Sequence, residues 1–159
     1  TGSGCIAISL AKNLPDAKIT ALEISKDALE VAKENAKINN VDIDFVYADI
    51  FNYKSDKKYD VIVSNPPYVT KSEKSLMKKN VLDFEPELAL FVDNQNPLKH
   101  YHSIINFSIN NQKDHGKIFF EINEYLFDKI KLLLKKYDVK FCNFIKDIDN
   151  KNRFIILSI

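Results

Sequence analysis

The chain has 159 residues, 45% of them hydrophobic and 28% charged, which is the size and make-up of one globular domain and excludes the disordered and fibrous classes. Twenty-three basic against twenty-two acidic residues give a formal net charge of +1, which provides no overall field for holding nucleic acid, and Arg153 is the one arginine. No run of about eighteen apolar residues is present, the opening Thr1-Gly2-Ser3-Gly4 has no leader pattern, and Cys5 and Cys142 form no CxxC pair, so a cytoplasmic protein without membrane span, disulfide framework or metal site is expected.

Helical and extended segments alternate along the chain. Residues 4–13 have helical spacing, with Ile6, Leu10 and Leu14 along one side, and residues 17–23 read as a strand. Ser25 is the N-cap of a second helix, with Asp27 in its first turn and Leu29, Ala32 and Ala36 on one stripe. Strands follow at 43–48 and at 59–64, the latter fully apolar in character. Asn65-Pro66-Pro67-Tyr68 ends that strand, because two adjacent prolines remove two backbone donors. The polar stretch to about Asp83 reads as loop with room for a short helix, and its lysines (Lys71, Lys74, Lys78, Lys79) as a solvated face. Residues 97–111 predict a helix, 117–122 a buried strand, 124–137 a lysine-rich amphipathic helix, and 139–145 and 154–159 the last strands.

Alternation of this kind argues for a parallel α/β sheet with helices on both faces. The short turn at 146–152 makes the last two strands an antiparallel hairpin, the look of a Rossmann-like methyltransferase; an ordinary nucleotide-binding Rossmann domain is the alternative. A glycine loop is expected to follow the central first strand of such a sheet. None precedes Thr1, so the expectation is a catalytic domain over 1–159 whose first strand is missing and whose sheet has a gap in its middle.

Four elements carry chemistry. Thr1-Gly2-Ser3-Gly4 opens a helix, where glycines let a ligand approach the backbone and free N–H groups face it. Glu23, nineteen residues after Gly4 at the end of the next strand, is placed to accept both hydroxyls of a ribose. Asp49, after the following strand, is placed to accept from an adenine amino group while Ile50 covers the ring. These positions at successive strand ends describe an adenosine-containing cofactor, and no P-loop accompanies them. The fourth element is Asn65-Pro66-Pro67-Tyr68. The Asn65 side-chain carbonyl and the Pro66 backbone carbonyl are two acceptors for one NH2 group. Holding both hydrogens turns the nitrogen lone pair toward an incoming methyl and stabilises the developing positive charge. Tyr68 supplies a flat face against a planar group.

This set, with Phe84-Glu85-Pro86 downstream, resembles the HemK/PrmC family of protein-glutamine methyltransferases along essentially the whole chain. NPPY is shared with nucleic-acid amino-methyltransferases; residues 81–91 (VLDFEPELALF) are the more specific signal. The sequence departs from the family pattern at Asp83, where many members carry arginine, and at residues 92–96, where a glycine-rich turn is usual. The resemblance implies a Rossmann-like class I fold, with the family's upstream helical domain absent from this chain. It implies methyl transfer from S-adenosyl-L-methionine, leaving S-adenosyl-L-homocysteine, to the Gly-Gly-Gln glutamine of class-1 peptide-chain release factors, by a monomer that binds neither nucleic acid nor membrane. Thr1, Gly2, Ser3 and Gly4 would lie by the methionine part, Glu23 by the ribose, and Asp49 and Ile50 by the adenine. Asn65, Pro66, Pro67 and Tyr68 would hold the glutamine amide, with Asn65 also by the cofactor and Glu85 on the substrate side.

Two other functions compete: adenine or guanine amino-methylation, which calls for a basic, aromatic-bearing face, and a noncatalytic binding remnant, which calls for decay of the acceptor groups. Plainer expectations cover the rest. His100 and His102 read as surface or packing residues, Phe119, Phe120, Phe141, Phe144 and Phe154 as the core of the C-terminal strands, and Cys5 as a small buried hydrophobe.

Overall fold

A computed structural model describes residues 1–70 and 87–159. The chain divides into two compact units, Thr1–Tyr53 and Lys54–Ile159.

The first unit contains α1 (Cys5–Asn13), β1 (Thr20–Glu23), α2 (Lys26–Ile38) and β2 (Asp44–Tyr47). β1 and β2 pair in parallel, from Thr20 opposite Asp44 to Glu23 opposite Tyr47, so that both strands end side by side. The α2 helix starts where expected, with the Ser25 hydroxyl accepting the Ala28 N–H at 3.3 Å. It stops on asparagines: Asn40 takes φ 53°, its N–H reaches the Lys37 carbonyl, and the Val41 N–H reaches that of Ala36. These two bonds satisfy carbonyls that a helix end leaves open. Leu29, Ala32 and Ala36 form the buried stripe of α2, as read from their spacing.

The α1 stripe differs from expectation. Ala7 and Ile8 are buried and join Ala11, Ile19, Ala21, Ala36, Val41, Ile43 and Phe45 in one core, whereas Ile6 and Leu14 are exposed. The reason is close packing. Gly4, at the head of α1, lies against Ala32 of α2, and this approach turns the small-residue side of α1 inward.

The second unit contains β3 (Tyr59–Ser64), β4 (Val69–Thr70), α3 (Glu87–Leu90), β5 (Phe91–Val92), α4 (Lys99–Asn111), β6 (Gln112–Glu121), a 3-10 turn (Glu124–Leu126), α5 (Phe127–Leu134), β7 (Phe141–Lys146) and β8 (Asn152–Ser158). Its main sheet has the order β3-β6-β8-β7, with β3 and β6 parallel and both pairings of β8 antiparallel. The terminal hairpin is as expected. β4 and β5 form a separate parallel pair that no sequence pattern announced.

Boundaries move by a few residues elsewhere. β6 begins five residues early because its pairing with β3 is interrupted between Tyr59 and Val61 and resumes at Lys117. The helix expected at 124–137 is a 3-10 turn capped by Asn123, followed by α5, which ends at Leu134. Where a glycine-rich turn is usual, Asp93 makes the turn with its side chain, accepting the Gln95 N–H at 3.0 Å. The core of the C-terminal strands is Ile118, Phe120, Ile155 and Leu157; Phe141 and Phe154 are exposed, because they project from the other side of the sheet. Cys5 is exposed too, in contact with the Ser3 hydroxyl, rather than a buried hydrophobe. Tyr101 is fully buried between His100 and the exposed His102. Among the described residues no helix is long and apolar enough to cross a membrane.

Candidate active site

The first group of site residues lies wholly within the first unit. The glycine loop bends through two left-handed residues, Gly2 at φ 59° and Gly4 at φ 84°. Their surroundings differ. A Cβ on Gly2 would meet nothing within 4 Å, whereas one on Gly4 would lie 3.1 Å from the Ala32 Cβ and 3.2 Å from Ile8 Cδ1. Gly2 thus faces open space and Gly4 faces packed side chains.

Glu23 ties this loop to the end of β1. Its Oε2 accepts from the Thr1 amine and the Gly2 N–H at 2.7 Å each, and its Oε1 accepts from the N–H groups of Ile24 and Ser25 at 2.9 and 2.8 Å. Partial burial pushes this carboxyl up, but the hydrogen bonds from the Thr1 amine, Ser25 and Gly2 outweigh it and hold the group below the usual carboxylate value. The Ala48 N–H donates to the Glu23 carbonyl at 2.9 Å, so Asp49 begins one residue beyond a bond that fixes the two strand ends together. Asp49 folds its carboxylate onto the Phe51 N–H at 3.0 Å, and Ile50 is half-buried beside it. One participant had no sequence signal: Asn35, on α2, donates to the Ser3 carbonyl at 3.0 Å and holds the loop from the helix side.

The second group lies within the second unit. Asn65 follows the last residue of β3, Pro66 is buried, and Pro67 and Tyr68 are half-buried. Among the described residues the exposed Asn65 side chain has no hydrogen-bond partner, so its carbonyl is available as an acceptor. Ser64 stands opposite Phe120, which sets Glu121, the last residue of β6, beside the start of this segment. The Tyr68 hydroxyl donates to Glu121 Oε1 at 3.3 Å, and the Asn123 side-chain amide reaches the Tyr68 carbonyl at 3.5 Å. Burial, and then the Glu121 charge, push the Tyr68 phenol up; burial does the same for Tyr101, whose hydroxyl donates to the Glu121 backbone carbonyl at 3.0 Å. Glu121 and Asn123 were not read as site residues from the sequence. Glu85, with Phe84 and Pro86, lies outside the described residues, as do Lys71, Lys74, Lys78, Lys79 and Asp83.

A family model described as the methyltransferase small domain matches residues 1–113. The chain belongs to that family. It is 46% identical over 156 residues to a release factor glutamine methyltransferase of Flavobacterium psychrophilum, covering 98% of this chain and 55% of the relative. A protein of the same name from Bacteroides thetaiotaomicron is 47% identical over 160 residues, covering 98% and 56%. The chain therefore spans little more than half the length of these curated relatives. Their names bear out the HemK/PrmC resemblance. A solved methyltransferase from Pyrococcus furiosus superimposes with a TM-score of 0.70 at 18% identity, over 99% of this chain and 70% of that one. The fold is that of Rossmann-like class I methyltransferases, as the alternation of elements led us to expect.

Proposed function

We propose that this chain is the catalytic part of a release factor glutamine methyltransferase, acting as a cytoplasmic monomer on the side-chain amide of the Gly-Gly-Gln glutamine of class-1 release factors. The observation that carries this reading is Asn65-Pro66-Pro67-Tyr68 at the carboxyl end of β3, with the Asn65 amide unpartnered among the described residues and Pro66 buried. The relatives named for the same reaction, at 46–47% identity, support it.

The residues fit an adenosine cofactor on two grounds. Gly2 leaves space where a side chain would stand, which suits close approach of a ligand to the backbone. Glu23 and Asp49 are acceptors at adjacent strand ends, the chemistry that ribose hydroxyls and an adenine amino group require. Asp49 and Ile50 would serve the adenine, and Thr1, Gly2, Ser3 and Gly4 would border the methionine part.

S-adenosyl-L-methionine supplies an electrophilic methyl group when bound and leaves as S-adenosyl-L-homocysteine. An amide nitrogen is a poor nucleophile, because its lone pair is delocalised into the carbonyl. The Asn65 Oδ1 and the Pro66 carbonyl each accept one hydrogen of the substrate NH2, which fixes its orientation and favours a pyramidal nitrogen. The same two dipoles face the positive charge that develops there, and they need no reorganisation as it appears. One of the two protons then passes from the nitrogen to water. Tyr68 would lie against the planar amide, and Glu85 is assigned to substrate binding.

The test uses the full-length protein, S-adenosyl-L-methionine and a purified release factor, with the Gly-Gly-Gln peptide read by mass spectrometry. Adenine-containing DNA and RNA serve as parallel substrates. One added methyl on the glutamine is expected. Methyl on nucleic acid alone would overturn the substrate while keeping the amino-methyl chemistry.

A further inference from the structure

The Asn65-Pro66-Pro67 segment has a mechanical problem. Prolines 66 and 67 carry no N–H, so these two residues cannot be pinned through backbone donors, and among the described residues the Asn65 side chain has no partner to hold it. Yet two acceptors must stay aimed at one nitrogen, since small misplacements of a catalytic group cost rate steeply. The segment is instead fastened just downstream. Tyr68 is held at its hydroxyl by Glu121 and at its backbone carbonyl by Asn123.

Both anchors stand on rigid ground. The Glu121 carbonyl accepts from the buried Tyr101 hydroxyl, and the next N–H, that of Ile122, is bonded to the Arg153 carbonyl at 2.8 Å. Asn123 is itself buried, and its side-chain oxygen caps the 3-10 turn by accepting the Tyr125 N–H at 3.0 Å. The tether therefore runs from Tyr68 into the middle of the main sheet.

Resting on the reading above, we propose that Glu121 and Asn123 are positioning residues, which by clamping Tyr68 at both ends aim the Asn65 and Pro66 acceptors at the substrate nitrogen. Neither need touch substrate. Their effect passes through Tyr68, and that makes it separable from a stability role.

The experiment is a cycle in the full-length protein: Glu121→Ala, Glu121→Gln, Tyr68→Phe and the Tyr68→Phe/Glu121→Ala double variant. Glu121→Ala should lower kcat about tenfold, with cofactor Kd within a few fold, since a hydrogen bond to a charged group is lost. Glu121→Gln, whose amide oxygen still accepts from the Tyr68 hydroxyl, should restore most of that loss. The double variant should be no slower than the slower single one, because both remove one contact. Additive losses, or an unchanged kcat in Glu121→Ala, would overturn the proposal.

A second readout needs no activity. The Tyr68 ring signal, assigned by its disappearance in Tyr68→Phe, is followed through a pH titration by NMR. Among the described residues the titratable groups facing this phenol are Glu121, Tyr101 and Arg153. Glu121→Gln removes the nearby negative charge and should bring the Tyr68 titration down toward an ordinary phenol. A titration unmoved by Glu121→Gln would also overturn the clamp. If that titration shifts while the wild-type protein methylates no release factor, the clamp stands and the proposed substrate falls.

Discussion

Glu23 and Asn65 are the polar side chains on which the proposed chemistry turns, and their surroundings set opposite expectations. The Glu23 carboxylate accepts from four N–H groups, while the Asn65 amide is bonded to none among the described residues. Removing Glu23 would therefore take away the proposed ribose contacts and loosen the glycine loop together. Glu23→Ala is expected to weaken S-adenosyl-L-methionine about ten- to hundredfold in calorimetry, and an unchanged Kd would remove the ribose role. Because its hydrogen bonds hold this carboxyl below the ordinary range, the charge persists throughout neutral pH. Cofactor affinity should then be flat there and fall only in acid, as the carboxylate takes up a proton. Asn65→Ala leaves the loop intact. It should cost kcat about a hundredfold or more, with cofactor Kd within a few fold. The positions of Glu23, the last residue of β1, and of Asp49, two residues past the end of β2, were legible because the strand pattern before each is local. Glu121 ends a strand too, but in KIFFEI it stands among apolar residues, and only its contact with Tyr68, fifty-three residues away, singles it out.

At the scale of elements, the two glycines of one loop divide their labour. Both adopt left-handed backbone, but only Gly4 is also crowded. An alanine at Gly2 pays the conformational cost alone, about 1 kcal/mol. At Gly4 the same change adds contacts of 3.1 Å to Ala32 and 3.2 Å to Ile8, tighter than most real Cβ contacts, for a loss of about 2–4 kcal/mol. Urea denaturation of the two variants checks this, and equal losses would mean that the junction of α1 and α2 relaxes freely. The same junction explains why the buried side of α1 was misread: hydropathy favoured Ile6 and Leu14, whereas the close approach at Gly4 selected the small side of the helix. The α2 helix was read correctly because its signals are local, a serine cap at one end and a three-to-four-residue alanine and leucine stripe along it.

For the molecule as a whole, strand and helix order was legible because each long element has its own period, and the closing hairpin because its turn is short. β4 and β5 were not, since a strand of two residues has no period to read. Charge is a property of the same scale, and it bears on the rival nucleic-acid substrate. Affinity for a phosphate backbone comes from releasing counterions, one for about each phosphate neutralised, and so requires basic groups in excess. Here lysines are numerous but nearly balanced by acids, to a net +1. Several of the described lysines are already committed to Glu30, Asp60 or Glu124. Generic duplex RNA should therefore bind this chain more weakly than about 10⁻⁴ M at physiological salt, and with little salt dependence. Titration by fluorescence anisotropy at several salt concentrations measures both quantities. Micromolar affinity with a steep salt slope would mean that lysines gather on one face despite the balanced total, and the amino group presented to Asn65 and Pro66 would then have to be sought on a base.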